Sequence, residues 1–192
     1  MHDHAREAKA RSVVTRKLDN AELHRLTLEE YRKAPKLPVV VVLDNVRSLN
    51  NVGSVFRTAD ALLLEAIWLC GITGTPPHNE IHRTALGAEL SVPWHYAPHT
   101  LGAVAQLRAA GYIVVAVEQV EGSVPLPSFA PQGDERYALV FGNELRGVAQ
   151  DVVSRADMCL EIPQFGTKQS FTIAVSVGIV LWDISCKLRA LT

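Results

Sequence analysis

The chain has 192 residues, of which 48% are hydrophobic and 20% charged. These values fit one soluble globular domain with a short appendage and argue against a disordered or fibrous protein. A formal net charge of −1 excludes nucleic-acid coating through bulk positive charge but leaves a local basic patch open. The three cysteines form no CxxC pair, and the N-terminus lacks the apolar segment of a signal peptide. We therefore expect a cytoplasmic protein without a metal site or a membrane span.

Residues 1–37 form a locally basic arm, with nine Lys and Arg against six Asp and Glu, while the rest of the chain has a net charge of −4. Thr27-Leu28-Glu29-Glu30 matches the capping box that starts a helix, and Pro35 and Pro38 close the segment. The pattern predicts a helical arm over 1–37 in front of a core domain over 38–192. The arm either contacts nucleic-acid phosphates or simply packs on the core as a solvated helix.

From Val39 onward, short apolar runs alternate with amphipathic stretches. The runs that predict buried strands are Val39–Leu43, Ala66–Cys70, Tyr112–Val117, Ala138–Phe141 and Met158–Ile162. Helices are predicted between Val52 and Leu63, over Leu101–Ala110 and over Ser170–Ala190. Strands that alternate with helices predict an α/β fold, with a mostly parallel sheet flanked by helices.

The loop and helix after the first predicted strand carry amide and guanidinium groups. Asn50 and Asn51 precede Gly53 and Arg57 in this segment. An arginine can bind a phosphate with two parallel hydrogen bonds, and an asparagine both donates and accepts, so the segment could hold a phosphate and hydroxyls. For this string alone we favour the alternative that Asn50 and Asn51 cap the helix and that Arg57 is a solvated surface residue.

Two glycine-bearing loops follow the last two predicted strands. They are Phe141-Gly142-Asn143-Glu144-Leu145-Arg146-Gly147 and Ile162-Pro163-Gln164-Phe165-Gly166. Backbone N–H and C=O groups in such loops can hydrogen-bond an adenine edge and a ribose. Taken separately, either loop is also explained as an ordinary strand-to-helix turn.

Together, the three segments resemble the SpoU family of RNA ribose methyltransferases, within the SPOUT class. Asn51, Gly53 and Arg57-Thr58-Ala59 match its first motif, and Gly142 to Gly147 match its second. The third is matched in part by Ile162 to Gly166 with Ser170-Phe171-Thr172. Gln164 stands where the family usually has Met, and Thr172 stands where it usually has Asn. The resemblance covers about Pro38 to Leu188.

The resemblance implies a C-terminal SPOUT-type trefoil knot that binds S-adenosylmethionine, and a homodimer with its active site at the subunit interface. It implies methyl transfer to a ribose 2′-hydroxyl in structured RNA, either tRNA or rRNA. The alternative, raised by Gln164 and Thr172, is a knotted RNA-binding protein that no longer methylates. The residues expected to contact the cofactor are Val117, Gly142, Asn143, Glu144, Ile162, Pro163, Gln164, Gly166, Ser170 and Phe171.

The residues expected to serve the reaction are Asn51, Arg57, Glu144, Ser170 and Thr172. The resemblance implies that Arg57 reaches toward the cofactor of the other subunit, where it would hold the substrate phosphate or 2′-hydroxyl. Asn51 would orient Arg57 or the ribose, and Glu144 would organise the loops or the arginine network. Ser170 would bond the cofactor or the substrate.

Histidine and tryptophan residues outside these motifs have weaker interpretations. His78 and His82 are four residues apart on a possible helix, but no third ligand accompanies them, so we expect surface placement or RNA contact. Trp68, Trp94 and Trp182 lie in apolar contexts that indicate core or interface positions more than stacking platforms.

Overall fold

A parallel sheet forms the centre of the protein in the computed structural model, which describes residues 15–191. The seven strands of this part of the chain are β1 (Leu37–Asp44), β2 (Leu64–Cys70), β3 (Trp94–Ala97), β4 (Tyr112–Val117), β5 (Val124–Pro125), β6 (Arg136–Phe141) and β7 (Met158–Glu161). Their order across the sheet is β3-β2-β1-β6-β4-β7-β5, and all neighbours are parallel. The predicted α/β class and all five predicted strands are confirmed.

Helices cover both faces of the sheet. They are α1 (Leu28–Lys33), α2 (Leu49–Leu62), α3 (Asn79–Ala85), α4 (Ala88–Ser91), α5 (Thr100–Ala109), α6 (Gln150–Val153) and α7 (Ile173–Arg189), with short 3-10 turns at Asn20–Leu23 and Leu126–Ser128. The predictions of α2, α5 and α7 are confirmed, although α7 begins three residues later than predicted. The pattern did not reveal β3, β5, α4 or α6, since elements of two to four residues are too short to show a period.

The residues of β1 alternate between the two sides of the sheet, where they join two separate cores. Val39, Val41 and Leu43 pack with α2 and α7, whereas Val40 and Val42 pack with the α5 side. All five are at most 1% exposed. A central parallel strand is covered on both faces, which explains why its sequence is apolar from Val39 to Leu43 instead of alternating.

The described part of the arm contacts the core through α1. Thr27 and Glu30 form the predicted capping box, and Tyr31 is buried, with the Lys36 Nζ 3.7 Å from its ring centroid. The helical prediction for residues 1–14 lies outside the described residues. Within 15–191, no helix is both long and apolar enough to cross a bilayer.

Candidate functional site

Loops that follow β4, β6 and β7 meet the start of α7 around a cavity of about 280 Å³. In a parallel sheet the carboxyl ends of the strands share one edge, so loops that are distant in sequence become neighbours there. The predicted cofactor residues that line this cavity are Val117, Gly142, Asn143, Glu144, Ile162, Gln164, Ser170 and Phe171. Pro163 and Gly166 were also predicted, but they do not line it.

The loop after β6 closes on itself and requires a glycine at its first position. Asn143 and Gly147 exchange backbone hydrogen bonds of 2.9 Å in both directions. A Cβ atom on Gly142 would lie 1.9 Å from the carbonyl carbon of Gly147, and Gly147 has a φ of +67°. The spacing of the two glycines in the second motif therefore serves the loop's own closure.

The Glu144 carboxylate joins the loop after β6 to the loop between β1 and α2. It accepts hydrogen bonds from the backbone N–H groups of Arg47 and Ser48, both at 3.0 Å, and from the side-chain amide of Asn51 at 3.3 Å. Partial burial alone would raise the pKa of Glu144, but these donors outweigh it and hold the pKa below its ordinary value. The structure thus brings Asn51 and Glu144 together, as loop organisers.

Asp44 and Asn45 connect neighbouring segments at the same edge of the sheet. The sequence pattern did not identify either residue. Asp44 is 2% exposed and accepts hydrogen bonds from the Thr100 hydroxyl and from the Ala149 N–H at 2.9 Å. The carbonyl of Asn45, a residue with φ of 56°, accepts from the Asn143 side chain at 2.7 Å. The signal available in the sequence was Asp44 itself, a charged residue directly after the apolar run Val39–Leu43.

Glu118, another residue missed in the sequence, holds the loop from the β4 side and lines the cavity. Its carboxylate accepts from the Val148 N–H at 2.8 Å and from the Gln119 N–H at 2.9 Å. Glu161 adds a second carboxylate to the lining, and Phe141 and Leu160 supply apolar surface. The cavity can therefore accommodate a ligand that combines a positive charge with an apolar part.

The segment before α7 presents the residues of the third motif. Ser170 and Phe171 line the cavity, and the Ser170 side chain has no hydrogen-bond partner within the described chain. Thr172 is the N-cap residue of α7, but its side chain makes no capping bond, and it does not line the cavity. Only its backbone carbonyl is engaged, by the N–H groups of Val175 and Ser176.

Arg57 lies outside the cavity. It is exposed on α2 and borders a surface depression with Arg83, Gly178 and Trp182. In the part of the chain described, its side chain makes no hydrogen bond or ion pair, in agreement with the surface alternative for this residue. The capping alternative for its neighbours is wrong, since Ser48 caps α2, Asn51 contacts Glu144, and Asn50 accepts from Arg83 at 3.0 Å.

The two histidines are near one another but do not form a metal site. His78 is the N-cap of α3, and His82 on the same helix pairs with Glu89. Across residues 15–191, no group of three or more His, Cys, Asp or Glu could hold a metal ion.

A parallel sheet with a cavity framed by loops at its carboxyl edge defines an α/β protein of the ligand-binding kind. Residues 38–182 match the model of the SpoU rRNA Methylase family, so the chain belongs to this family.

Known proteins agree with this assignment. The chain is 27% identical to a tRNA (guanosine(18)-2′-O)-methyltransferase of Borreliella burgdorferi, across 77% of this chain and 66% of that protein. It is 30% identical to a 23S rRNA (guanosine(2553)-2′-O)-methyltransferase of Bacillus subtilis, across 76% and 57%. The AdoMet-bound rRNA methyltransferase from Sinorhizobium meliloti superposes with a TM-score of 0.73 at 31% identity, across 84% and 60%. The chain thus spans less than two thirds of the length of each of these proteins.

Proposed function

We propose that this protein transfers a methyl group from S-adenosylmethionine to a ribose 2′-hydroxyl in tRNA or rRNA. The observation that carries the proposal is the cavity at the carboxyl edge of the sheet, which gathers residues from the second and third family motifs. The similarity to enzymes named as 2′-O-methyltransferases of tRNA and of rRNA supports the reaction and leaves both RNA classes as substrates.

The residues of the cavity fit S-adenosylmethionine. The N–H groups of Asn143, Leu145, Arg146 and Gly147 bond within the loop, so the loop would offer backbone carbonyls to an adenine amino group. The Glu118 and Glu161 carboxylates suit the positive charges of the ligand. Phe141 and Leu160 provide apolar walls. Gln164 stands where the family usually has Met, and this difference should change cofactor binding little if the residue contacts the cofactor through its backbone. When bound, the cofactor supplies a methyl group on a sulfonium, whose departure leaves a neutral thioether.

We further propose that the C-terminal segment forms a trefoil knot. In support, β4 lies between β6 and β7, so the chain must pass β4 on both sides. The helix α7 then returns to pack against α2, and Lys187 on α7 donates to the carbonyl of Leu126 at 2.7 Å. Gln119 donates to the carbonyl of Gln169 at 3.0 Å. Both contacts join the C-terminal segment to the 118–135 connection that it would thread.

A homodimer would complete the active site, because Arg57 does not reach the cavity of its own chain. The apolar side chains beside it support this proposal. On α7, Val175 and Trp182 are 46% and 65% exposed, and Gly178 lies between them on the same face. An exposed stripe of this kind favours contact with a second copy, which would place Arg57 at the partner's cavity.

In this arrangement the chain's residues position the substrate and help its hydroxyl lose a proton. Because a guanidinium is essentially never neutral in proteins, Arg57 would act as an anchor for the substrate phosphate and not as a free base. The phosphate would take the hydroxyl proton. Asn51 and Glu144 hold the two loops in place, and Ser170 hydrogen-bonds the ligand or the ribose. Positioning is the larger contribution, since the methyl donor needs no acid at its leaving group.

The domain division proposed with this function places the catalytic unit at 38–192 and the RNA-contacting arm at 1–37. The cysteines Cys70, Cys159 and Cys186 are free, which fits action in the reducing cytoplasm.

The experiment that tests the function is methyl transfer from tritiated S-adenosylmethionine to unfractionated tRNA and rRNA, with ribose mapping of the product. The expected result is 2′-O-methylation that falls roughly 100-fold or more in Arg57→Ala, because a charge-assisted contact formed in the transition state is lost. Cofactor binding by calorimetry should not change in this variant. Cofactor-independent RNA binding without any methylation would instead identify an RNA-binding protein, and parental turnover in Arg57→Ala would contradict the role of Arg57.

A further inference from the structure

A second cavity lies on the other side of α3 from the Arg57 depression. It has a volume of about 730 Å³ and is enclosed by the loop after β2, by α3 and α4, and by the start of β3. No part of the proposed cofactor site contributes to it, and none of the three family motifs passes through it.

One part of its lining is apolar and rigid. Trp94 is half-buried at the start of β3, and Pro76 and Pro77 supply ring surfaces from the loop after β2. The indole of a tryptophan stacks with flat heterocycles, including unpaired bases of RNA. The lining therefore suits a planar ligand.

The other part of the lining carries groups that can recognise the edge of a base. The His82 Nδ1 lies 2.5 Å from the Glu89 carboxylate, and the Glu89 side chain is 8% exposed whereas that of His82 is 66% exposed. Such a carboxylate fixes the orientation of the imidazole and leaves Nε2 without a partner in the described chain. Asn79, which is exposed, adds an amide that donates and accepts.

The cavity adjoins the surface that carries Arg57. Leu90 lines this cavity, and it also lines a neighbouring surface groove whose lining includes Arg57. Arg83, the residue after His82 on α3, borders the Arg57 depression from the opposite side of the helix. Two guanidinium groups that suit phosphates are thus separated from the cavity only by the width of α3 and by Leu90.

We propose that this cavity receives an unpaired base of the substrate RNA, which stacks on Trp94 and hydrogen-bonds His82 or Asn79 through its edge. The site would recognise a nucleotide close to the one whose ribose is modified. Its position beside the surface that carries Arg57 favours RNA as its occupant. The inference rests on the proposed function, since it requires RNA on the Arg57 surface.

Photo-crosslinking tests the site without requiring methylation. Single-stranded RNA decamers that contain 5-iodouridine are irradiated with the full-length protein, and the crosslinked peptides are mapped by mass spectrometry. Crosslinks at Trp94, His78 or His82 are expected. RNA crosslinks confined to other surfaces, or no crosslinks at all, would overturn the inference.

Affinity for unfractionated tRNA provides the second measurement. Trp94→Ala should weaken binding by roughly fivefold or more because a stacking contact is lost, and Trp94→Phe should restore most of it. Tyr96→Ala, an exposed aromatic on the same strand but outside the cavity, is the matched control and should bind like the parent. Because Trp94 also packs against the core, Asn79→Ala serves as a variant that leaves the fold unchanged, and it should weaken binding as well.

The outcomes separate the two proposals. Methylation of RNA with unchanged tRNA affinity in both Trp94→Ala and Asn79→Ala would overturn the base site and leave the proposed function standing. Crosslinks at the cavity without methyl transfer would support the base site and contradict the function. A shift of Trp94→Ala toward monomer in sedimentation, with RNA affinity intact, would assign the cavity to contact between two copies and overturn the inference.

Discussion

Gly142 and Gly166 belong to similar loops, but their surroundings differ. A side chain on Gly142 would collide with the backbone of Gly147, whereas the Cβ position of Gly166 has open space within 4 Å. Gly142 is therefore required by the loop, whereas a Cβ atom on Gly166 would meet no atom of the described chain within 4 Å. The sequence motif alone treats the two residues as equivalent.

We expect Gly142→Val and Gly166→Val to fail in different ways. Gly142→Val should lower the melting temperature and abolish S-adenosylmethionine binding, because the loop cannot close. Gly166→Val should keep the parental melting temperature and lose cofactor affinity only if the cofactor approaches this backbone. Thermal denaturation and calorimetry measure the two effects, and full cofactor affinity in Gly142→Val would remove the assignment of this loop to the cofactor.

Glu144 links pH to the shape of the cavity. Its pKa is lowered in the folded protein, so the bonds to Arg47 and Ser48 are fully present above the ordinary carboxylate value and disappear as the pH falls through the lowered one. Glu144→Gln should reduce cofactor affinity by about tenfold at neutral pH, since an amide presents one acceptor oxygen instead of two. Calorimetry at neutral pH checks the effect of Glu144→Gln, and calorimetry of the parent from neutral pH down to below the ordinary carboxylate pKa of about 4.3 checks the pH dependence. Glu121→Gln, outside the cavity lining, serves as the matched charge control.

At the scale of elements, α7 has one buried face and one exposed apolar face. Val177, Leu181 and Ile184 are fully buried against α2 and the sheet, while Val175 and Trp182 face outward. The interpretation of Trp182 as a core residue is therefore wrong, and the interface interpretation stays a prediction. Trp68 and Trp94 are half-buried and pack against the two cores.

Trp182→Glu should convert a dimer to monomer, because a buried aromatic at an interface commonly contributes about 2 kcal/mol or more, which is roughly a 30-fold change in the dissociation constant. Methyl transfer should fall with dimer content, since in the proposed dimer Arg57 would serve the partner's cavity. Sedimentation velocity and turnover at several protein concentrations measure both. Ile72→Glu, also exposed but outside the cavity lining, is the control for an added charge. A variant that is monomeric and fully active would contradict the shared site.

At the scale of the whole molecule, the described part of the arm has both exposed and buried side chains. Tyr31 is 4% exposed, so truncation through residue 33 would remove a core side chain together with the basic residues. Residues 1–26 hold six Lys and Arg against four Asp and Glu. Deletion of these residues would leave α1 intact. The two possible functions of the arm can therefore be separated by the length of the deletion.

Deletion of residues 1–26 should weaken RNA binding and flatten its dependence on salt, since fewer phosphates are neutralised, while cofactor affinity stays unchanged. Deletion of residues 1–33 should also lower the melting temperature. RNA affinity measured between 50 and 300 mM salt checks the first effect. Identical salt slopes for the full-length and the 27–192 proteins would show that the arm only packs on the core.

The sequence alone determined the fold class, the five main strands and the motif loops. Continuous apolar runs between helical stretches have few solutions other than a covered parallel sheet. The family resemblance of its motifs also identified eight of the residues that line the cavity. It did not distinguish Gly142 from Gly166, since that difference depends on which backbone lies opposite.

Only the tertiary structure decided which distant groups meet. The Glu144 carboxylate bonds the backbone of Arg47 and Ser48, about a hundred residues away, and Asp44 holds Ala149 across a similar separation. Backbone partners leave no trace in residue type, so no pattern could reveal them. Arg57 lies six residues beyond Asn51 on α2, where its side chain is exposed and does not line the cavity. The cavity at Trp94 arises from short elements whose residues carry no periodic signal, and it exists only once α3, α4 and β3 pack together.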